Sequence, residues 1–304
     1  MTLHKEISDF LRGNGIAHDT VTKSGHSVVV AHISEGRSVS IIPAPISADS
    51  PEYAEKYAES LSTCISHLTY DNSERPLIIS EDRWRSQAAT TKARILAHLE
   101  IFTQIYARNC EVRKIDKKTA SEFLEINHSY GNASCRYRYG LYLKRHTGHN
   151  ASTHCHSERS EESPTPGTLV AVATFSNARK WIKGDKTIRS YEWTRYASLP
   201  GVRLSGGMGK LLKAFIDEVH PDDIMTYADL EWSEGKVYEQ LGFTLDSVKD
   251  AVIFEVDSEY KRSPLRPCSH AMMIEHIPQE GKSRKRYLMN FGSNKYRLKL
   301  TDYQ

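Results

Sequence analysis

The sequence lacks the devices that would place it in a membrane, a disulfide scaffold or a zinc ribbon. No stretch approaches the roughly 20 apolar residues of a membrane-spanning helix, and the opening MTLHKEISDFLRGNG has no continuous apolar run of a secretory signal. A cytoplasmic location is the expectation. Cysteine is scarce: Cys64, Cys110, Cys135, Cys155 and Cys268 are scattered, odd in number and without a C-x-x-C pair. That pattern argues against a disulfide framework and predicts reduced thiols. No internal repeat is visible. An excess of one charge is also missing, since 41 Lys+Arg against 38 Asp+Glu leave a formal net charge of +3. The balance is uneven, however, because KR, KSRKRY and NKYRLKL crowd the end of the chain. A basic C-terminal tail over 261–304 is therefore expected, and it permits nucleic-acid binding.

The 304 residues suffice for two domains, and the pattern of elements predicts an α/β (α+β) fold class. Over residues 1–104, HKEISDFLRGNGI reads as an amphipathic helix, HSVVVAHI and SVSIIPAPI as strands, and YAEKYAESLSTCISHL as a longer helix. PLIISEDRW reads as a buried strand and TTKARILAHLEIF as a helix. Over residues 105–260, CEVRKI is a strand and DKKTASEFLEINH a helix capped by Asp116 or Thr119. RYRYGLYLKR, TLVAVATFSNARK and SYEWTRYASL are strands, and SVKDAVIFEVD supplies a last one. A polar run, HTGHNASTHCHSERSEESPTPG, interrupts this second domain at about 146–167 and has almost nothing to bury, so it is expected to be disordered. Its His146, His149, His154, His156 and Cys155 have no framework to fix tetrahedral ligands, and no metal site is expected. HCHSERSEES also resembles a peptide that recurs as translated repeat DNA, which would make the run an insertion.

The most informative segment runs from Tyr191 to Phe243. It reads as strand, glycine turn, helix, strand and a second helix closing in Tyr-x-x-x-Gly-Phe. Ser205-Gly206-Gly207-Met208-Gly209 directly precedes the apolar-periodic run Leu211, Leu212, Phe215, Ile216, so free backbone N–H groups open a helix there. Such a turn suits a phosphate-bearing ligand, although glycine turns are also plain connections.

This order of elements, from about Cys110 to Val256, resembles the GNAT acyltransferase fold with its mixed, splayed central sheet. The resemblance implies acetyl-CoA or another acyl-CoA in the gap between the fourth and fifth strands, with its pyrophosphate on the turn Leu204 to Lys210. The family pattern Arg/Gln-x-x-Gly-x-Gly/Ala falls on Arg203, Gly206 and Met208, so methionine fills the last small position. Backbone N–H groups near Tyr196 and Ala197 would serve the developing oxyanion. A narrower resemblance, carried by FLEINHSYG and TYADLEWSEGKVYEQLGF, is to the Mom-like branch, phage-encoded GNAT relatives that modify adenine in DNA. It implies roles for Asn127, His128, Arg195, Ser205, Asp229 and Tyr238, and DNA or RNA as a partner.

Each of these positions also has a plainer reading. Tyr238 is a general acid for the leaving thiolate or an aromatic packed on the neighbouring strand. Asp229 orients or deprotonates an amine or caps the next element, with Trp232-Ser233 as the nearer helix start. His128 is a base or a partner of the helix C-terminus. Strand alternation places Glu192 and Arg195 on opposite faces. The tyrosines of RYRYGLY are stacking faces for a base or one side of a half-buried strand.

The first domain, through PLIISEDRWRSQAATTKARILAHL and IYARNCEVRKI, is similar to the Vsr-like PD-(D/E)xK, restriction-endonuclease-like domains found upstream of such GNAT units. Its hairpin HSVVVAHISEGRSVSIIPAPI holds only Glu35 as a carboxylate, so the metal centre of a nuclease is expected to be lost. Glu81 and Asp82 read as a helix start. Beside the acyltransferase stand two rivals, a DNA-binding accessory protein without catalysis and a metal-dependent nuclease.

Overall fold

The computed structural model describes residues 1–33, 36–72, 74–144, 164–265 and 285–303. Among these residues it is a mixed α/β (α+β) structure with seven α-helices and no barrel. The chain divides into two units, Met1–Thr91 with Ala228–Glu234 and Val248–Asn294, and Lys92–Tyr227 with Gly235–Ser247 and Lys295–Gln304.

In the first unit, helix α1 (Leu3–Gly13) buries Leu3, Ile7 and Leu11, the four-residue spacing of one helix face. Strands β1 (His18–Lys23), β2 (His26–His32) and β3 (Ser38–Ala44) follow in antiparallel register. Ser24 and Gly25, both with positive φ, close the first hairpin. Helix α2 (Pro51–Asn72) then crosses over so that β4 (Leu77–Ser80) pairs parallel to β3. Val28, Ile42, Leu61, Ile65, Leu68 and Ile78 form the core between this sheet and α2. Strand β1 escapes a sequence reading because HDTVTK has no apolar alternation and lies exposed at the sheet edge. Helix α3 (Glu81–Ser86) starts at the two acids as expected, and α4 (Ala88–His98) leads onward.

The second unit opens with β5 (Thr103–Tyr106), β6 (Cys110–Lys114) and α5 (Lys117–Asn127). The side chain of Asp116, not Thr119, caps α5 by accepting the Thr119 N–H at 2.7 Å. Then come β7 (Tyr137–Leu143), β8 (Leu169–Phe175), β9 (Arg179–Lys183), β10 (Lys186–Ser198) and β11 (Val202–Ser205). Helix α6 (Gly207–Val219), β12 (Asp223–Asp229), α7 (Lys236–Gln240) and β13 (Thr244–Lys249) follow. Strands β14 (Ile253–Val256), β15 (Arg262–Pro264) and β16 (Arg286–Met289) make a small sheet of the first unit, and β17 (Ser293–Lys299) ends the series. The large sheet has the order β13-β17-β12-β10-β8-β7-β6, with β9 paired to the first part of β10.

On one face of this sheet α5 packs Ala120, Phe123 and Leu124 against Val172 and Ala197. On the other, α6 lays Phe215 against Phe175 with ring centroids 3.9 Å apart, and Tyr137, Tyr139 and Tyr191 surround it edge-on. Tyr137 and Tyr139 are thus core aromatics, the plainer of their two readings.

One sequence expectation changes and another falls outside the described residues. Residues 286–299 are not a free basic tail: β16 and β17 belong to sheets, Tyr296 and Tyr303 are buried, and Lys295 and Arg297 pair with Asp246. The polar run expected at 146–167, with its histidines and Cys155, lies outside the described residues up to position 163, and so does Glu35. No helix among the described residues is long and apolar enough to cross a membrane.

Candidate functional site

Strands β10 and β12 run parallel and pair through Ser190–Asp223, Tyr191–Ile224 and Glu192–Met225, and pairing then stops although both strands continue. At the same point the register of β10 against β8 slips, from Trp193–Phe175 to Arg195–Thr174, leaving Thr194 as a bulge. A gap opens between the two strands within the second unit. The Leu199 N–H donates to the Val170 carbonyl, so alternation turns the main-chain groups of Ala197 toward β8 and those of Tyr196 and Ser198 toward the gap. Of the two backbone N–H groups expected to serve an oxyanion, that of Tyr196 faces the gap and that of Ala197 faces β8, while the Ser198 N–H also faces the gap.

The bulge also corrects the expectation for Glu192 and Arg195. The extra residue resets the alternation, which places both on the α5 face, and the Glu192 charge works against the burial that lowers the Arg195 pKa. The Arg195 guanidinium donates from Nε to the Gly131 carbonyl at 3.0 Å and from Nη1 to the Thr194 carbonyl at 2.8 Å. Gly131 lies in the loop that leaves α5, so Arg195 and the Asn127-His128 pair come together on this face. Asn127 is buried and its amide donates back to the Phe123 carbonyl. His128 closes the helix with its N–H on the Leu124 carbonyl, while its Nδ1 accepts the Tyr130 N–H at 3.1 Å. Both side chains thus hold the helix end and the loop after it.

The α6 face of the gap is aromatic. Trp193 is buried, and the rings of Tyr196 and Tyr238 each stand edge-on to it at 6.1 Å. Phe243 and Tyr296 pack on Tyr238 at 5.7 and 5.6 Å. Thr226 on β12 donates to the Trp193 carbonyl at 3.2 Å, bridging the strands where they part. Burial pushes the Tyr238 phenol above its ordinary pKa, with a hydrogen bond to Thr226 opposing the shift, and burial raises the Tyr196 phenol as well. Both phenols are protonated at neutral pH. Trp193, Thr226 and Ser198 were not among the residues expected from sequence. The signal for them was the aromatic spacing Tyr191, Trp193, Tyr196, which steps by two and then by three and so marks a bulge.

The glycine turn sits where expected, between β11 and α6. Gly206 adopts the left-handed conformation, with φ of 76°, immediately before the first helical residue. At Gly207 a side chain would meet Leu204 Cδ2 at 2.5 Å, so close packing requires that glycine. The side chains of the turn have partners within the unit. Ser205 Oγ accepts from Gln104 Nε2 at 2.5 Å, Lys210 Nζ donates to the carbonyls of Ala107 and Cys110, and the Arg203 guanidinium lies 5.0 Å from the Phe102 ring. What the turn offers a ligand is the N–H groups of Gly207, Met208 and Gly209, which have no preceding helical carbonyl to bond. The Ser205 hydroxyl and the Lys210 ammonium are thus engaged within the unit.

Asp229 ends β12 in a tight turn of the first unit. Its Oδ1 accepts the Glu231 N–H and its carbonyl accepts those of Trp232 and Ser233, all at 3.0 Å, while Oδ2 lies 3.8 Å from Arg83 Nη2. The next helix begins at Lys236 after left-handed Gly235, not at Trp232-Ser233. The turn-forming role of Asp229 is the geometry present. In the first unit, Asp82 and Glu231 are buried against Arg262. Among the described residues no three His, Cys, Asp or Glu side chains converge as metal ligands. No family model matches this chain, and no curated protein matches it.

Proposed function

We propose that this chain is an acyl-CoA-dependent N-acyltransferase of GNAT type whose acceptor is the amine of a nucleic-acid base, adenine being favoured by the Mom-like resemblance. The observation that carries the reading is the parting of β10 and β12 beside the bulge at Thr194, which leaves the main chain of Tyr196 and Ser198 facing a gap instead of a strand. Buried backbone groups need partners, and an extended amide-bearing chain such as pantetheine can supply them. The N-terminus of α6 supplies N–H groups and a favourable dipole for a pyrophosphate. These features fit acyl-CoA through backbone atoms, since the side chains of the turn are engaged elsewhere.

Bound there, the cofactor would supply an activated acyl carbonyl. The Tyr196 N–H faces the gap where that oxygen would need a donor. Tyr238, kept protonated by burial, holds a proton for the sulfur that leaves. Arg195, on the other face, fixes the loop after Asn127-His128 and acts as a positioning residue. The capture of Lys210 by two carbonyls favours the rival reading of a DNA-binding accessory protein, and the same experiment decides between them.

Titration calorimetry with acetyl-CoA is the test. Gly207 is a poor site for a variant because any side chain there displaces Leu204. Met208→Glu is better, since an acid in the first helical turn suits the dipole yet repels a pyrophosphate. The wild type should bind, and Met208→Glu should bind at least about tenfold more weakly, roughly 1.4 kcal/mol, with unchanged melting. No binding by the wild type overturns the transferase reading. Mass spectrometry of nucleosides from expressing cells identifies the acceptor; thioester turnover without an acylated base assigns it to a small amine or a protein.

A further inference from the structure

The β9–β10 hairpin carries a charge pattern that works against its own stability. All five residues of β9 are exposed, and Gly184-Asp185 connect it to β10. In the register Lys183 faces Lys186 and Lys180 faces Arg189, two directly opposed pairs of like charge, an arrangement that destabilises an antiparallel ladder. Arg189 is matched by Asp222, and Lys186 donates to the Asp302 carbonyl. Arg179, Lys180 and Lys183 have no ion-pair partner among the described residues. From Arg179 to Lys186 the ribbon holds four cations and one acid, and Lys299, with Nζ 5.2 Å from the Tyr303 ring, adds a cation alongside.

Between the cations stand two apolar side chains. Ile182 is 78% exposed and Trp181 is 36% exposed. The Trp181 ring is held edge-on by Tyr303, with centroids 5.4 Å apart and planes at 88°. Lysines on an exposed edge strand also guard against edge-to-edge pairing. Guarding accounts for a lysine or two, but not for like charges placed opposite one another or for an aromatic and an isoleucine left in solvent beside them.

We propose that this hairpin docks on duplex DNA, with the ribbon entering the major groove, Arg179, Lys180 and Lys183 on phosphates and Trp181-Ile182 against base edges or sugars. The B-form major groove admits a two-stranded ribbon, whereas the A-form groove of RNA is too deep and narrow for side chains to read. The proposal shares only the nucleic acid with the transferase reading. Binding needs no acyl-CoA, so either can fail alone.

The test is fluorescence anisotropy of a labelled 20-base-pair DNA duplex with the full chain over a salt series. Lys180→Ser/Lys183→Ser should lower affinity at least about tenfold and reduce the magnitude of the log–log salt slope by about 2, since each phosphate left without its lysine takes roughly 0.9 from the slope. Its melting temperature should hold or rise as like-charge repulsion is relieved. Trp181→Ala should weaken binding with the slope unchanged. Lys117→Ser/Lys118→Ser on α5 is the control for net charge and should leave affinity nearly intact. The proposal is overturned if the wild type does not bind, if the two lysine pairs matter equally, or if polyglutamate of matched charge competes as well as DNA, which would mark an acidic protein as partner.

Discussion

Tyr238 separates chemistry from packing more cleanly than any other side chain in the second unit. Its ring is wedged among Trp193, Phe243 and Tyr296, which a phenylalanine would reproduce, and its hydroxyl bonds Thr226. Tyr238→Phe should therefore cost about 1 kcal/mol of stability, the net worth of one hydrogen bond. If Tyr238 donates the proton to the departing thiolate, free CoA release should slow on the order of 100-fold while acetyl-CoA affinity holds. Equal rates in the two proteins would leave Tyr238 a packing residue. The residue types of this site were legible in the sequence, because a tyrosine four positions before Gly-Phe invites a chemical reading. Their engagements were not. Asp229 reads as a group that orients or deprotonates an amine, and the structure adds that its Oδ1 holds the Glu231 N–H; Lys210 reads as part of a pyrophosphate turn, and the structure adds that its ammonium donates to two carbonyls.

Elements were legible where burial imposed a period, and hidden where it did not. Helices α1, α5 and α6 each bury one face and announce themselves by spacing. Strands β1 and β9 bury almost nothing, so neither HDTVTK nor RKWIK alternates, and both hairpins escape a sequence reading. The docking of α1 on α3 shows how an element can depend on one carboxylate. Glu6 bonds Arg85 in bidentate fashion, with Nη2 at 2.8 Å from Oε1, and accepts the Trp84 indole N–H at 2.9 Å, while Phe10 packs edge-on against Trp84. The Arg85 hydrogen bonds hold the Glu6 carboxyl below the ordinary glutamate range. Since the folded-state value is depressed, the stability it contributes is present above the unfolded value of about 4.3 and is lost as pH falls through the folded one. Glu6→Gln should cost about 1 kcal/mol in urea unfolding at pH 7, after allowance for partial exposure, and less at an acid pH below the folded-state value. An equal deficit at both pH values would assign Glu6 a role in packing alone.

At the scale of the molecule, a linear reading places boundaries near 104 and 260, but the chain passes between its two units five times, the last passages following Tyr227, Glu234, Ser247 and Asn294. Composition changes near Lys261, which suggests a detachable basic tail; pairing partners do not change there. Arg262 binds Asp82 at 2.5 Å and Glu231 at 2.8 Å, and both carboxylates are almost fully buried in the first unit. Strand β17 stands between β13 and β12, and its Arg297 reaches the buried Asp223 in the second unit at 3.0 Å. A chain ending at Tyr260 would leave the buried Asp82 without its Arg262 and Glu231 with Arg83 alone, at 3.4 Å, at a cost of about 3–5 kcal/mol for one broken buried pair. It would also open the large sheet between β13 and β12. Against a typical total stability of about 5–15 kcal/mol, the two losses together should abolish cooperative unfolding. The 1–260 fragment should therefore show no thermal transition by circular dichroism, whereas Arg262→Leu in the full chain, which removes only the first contribution, should melt cooperatively at lower temperature. A fragment melting as the full chain does would restore the tail as a detachable appendage and with it the linear division into domains.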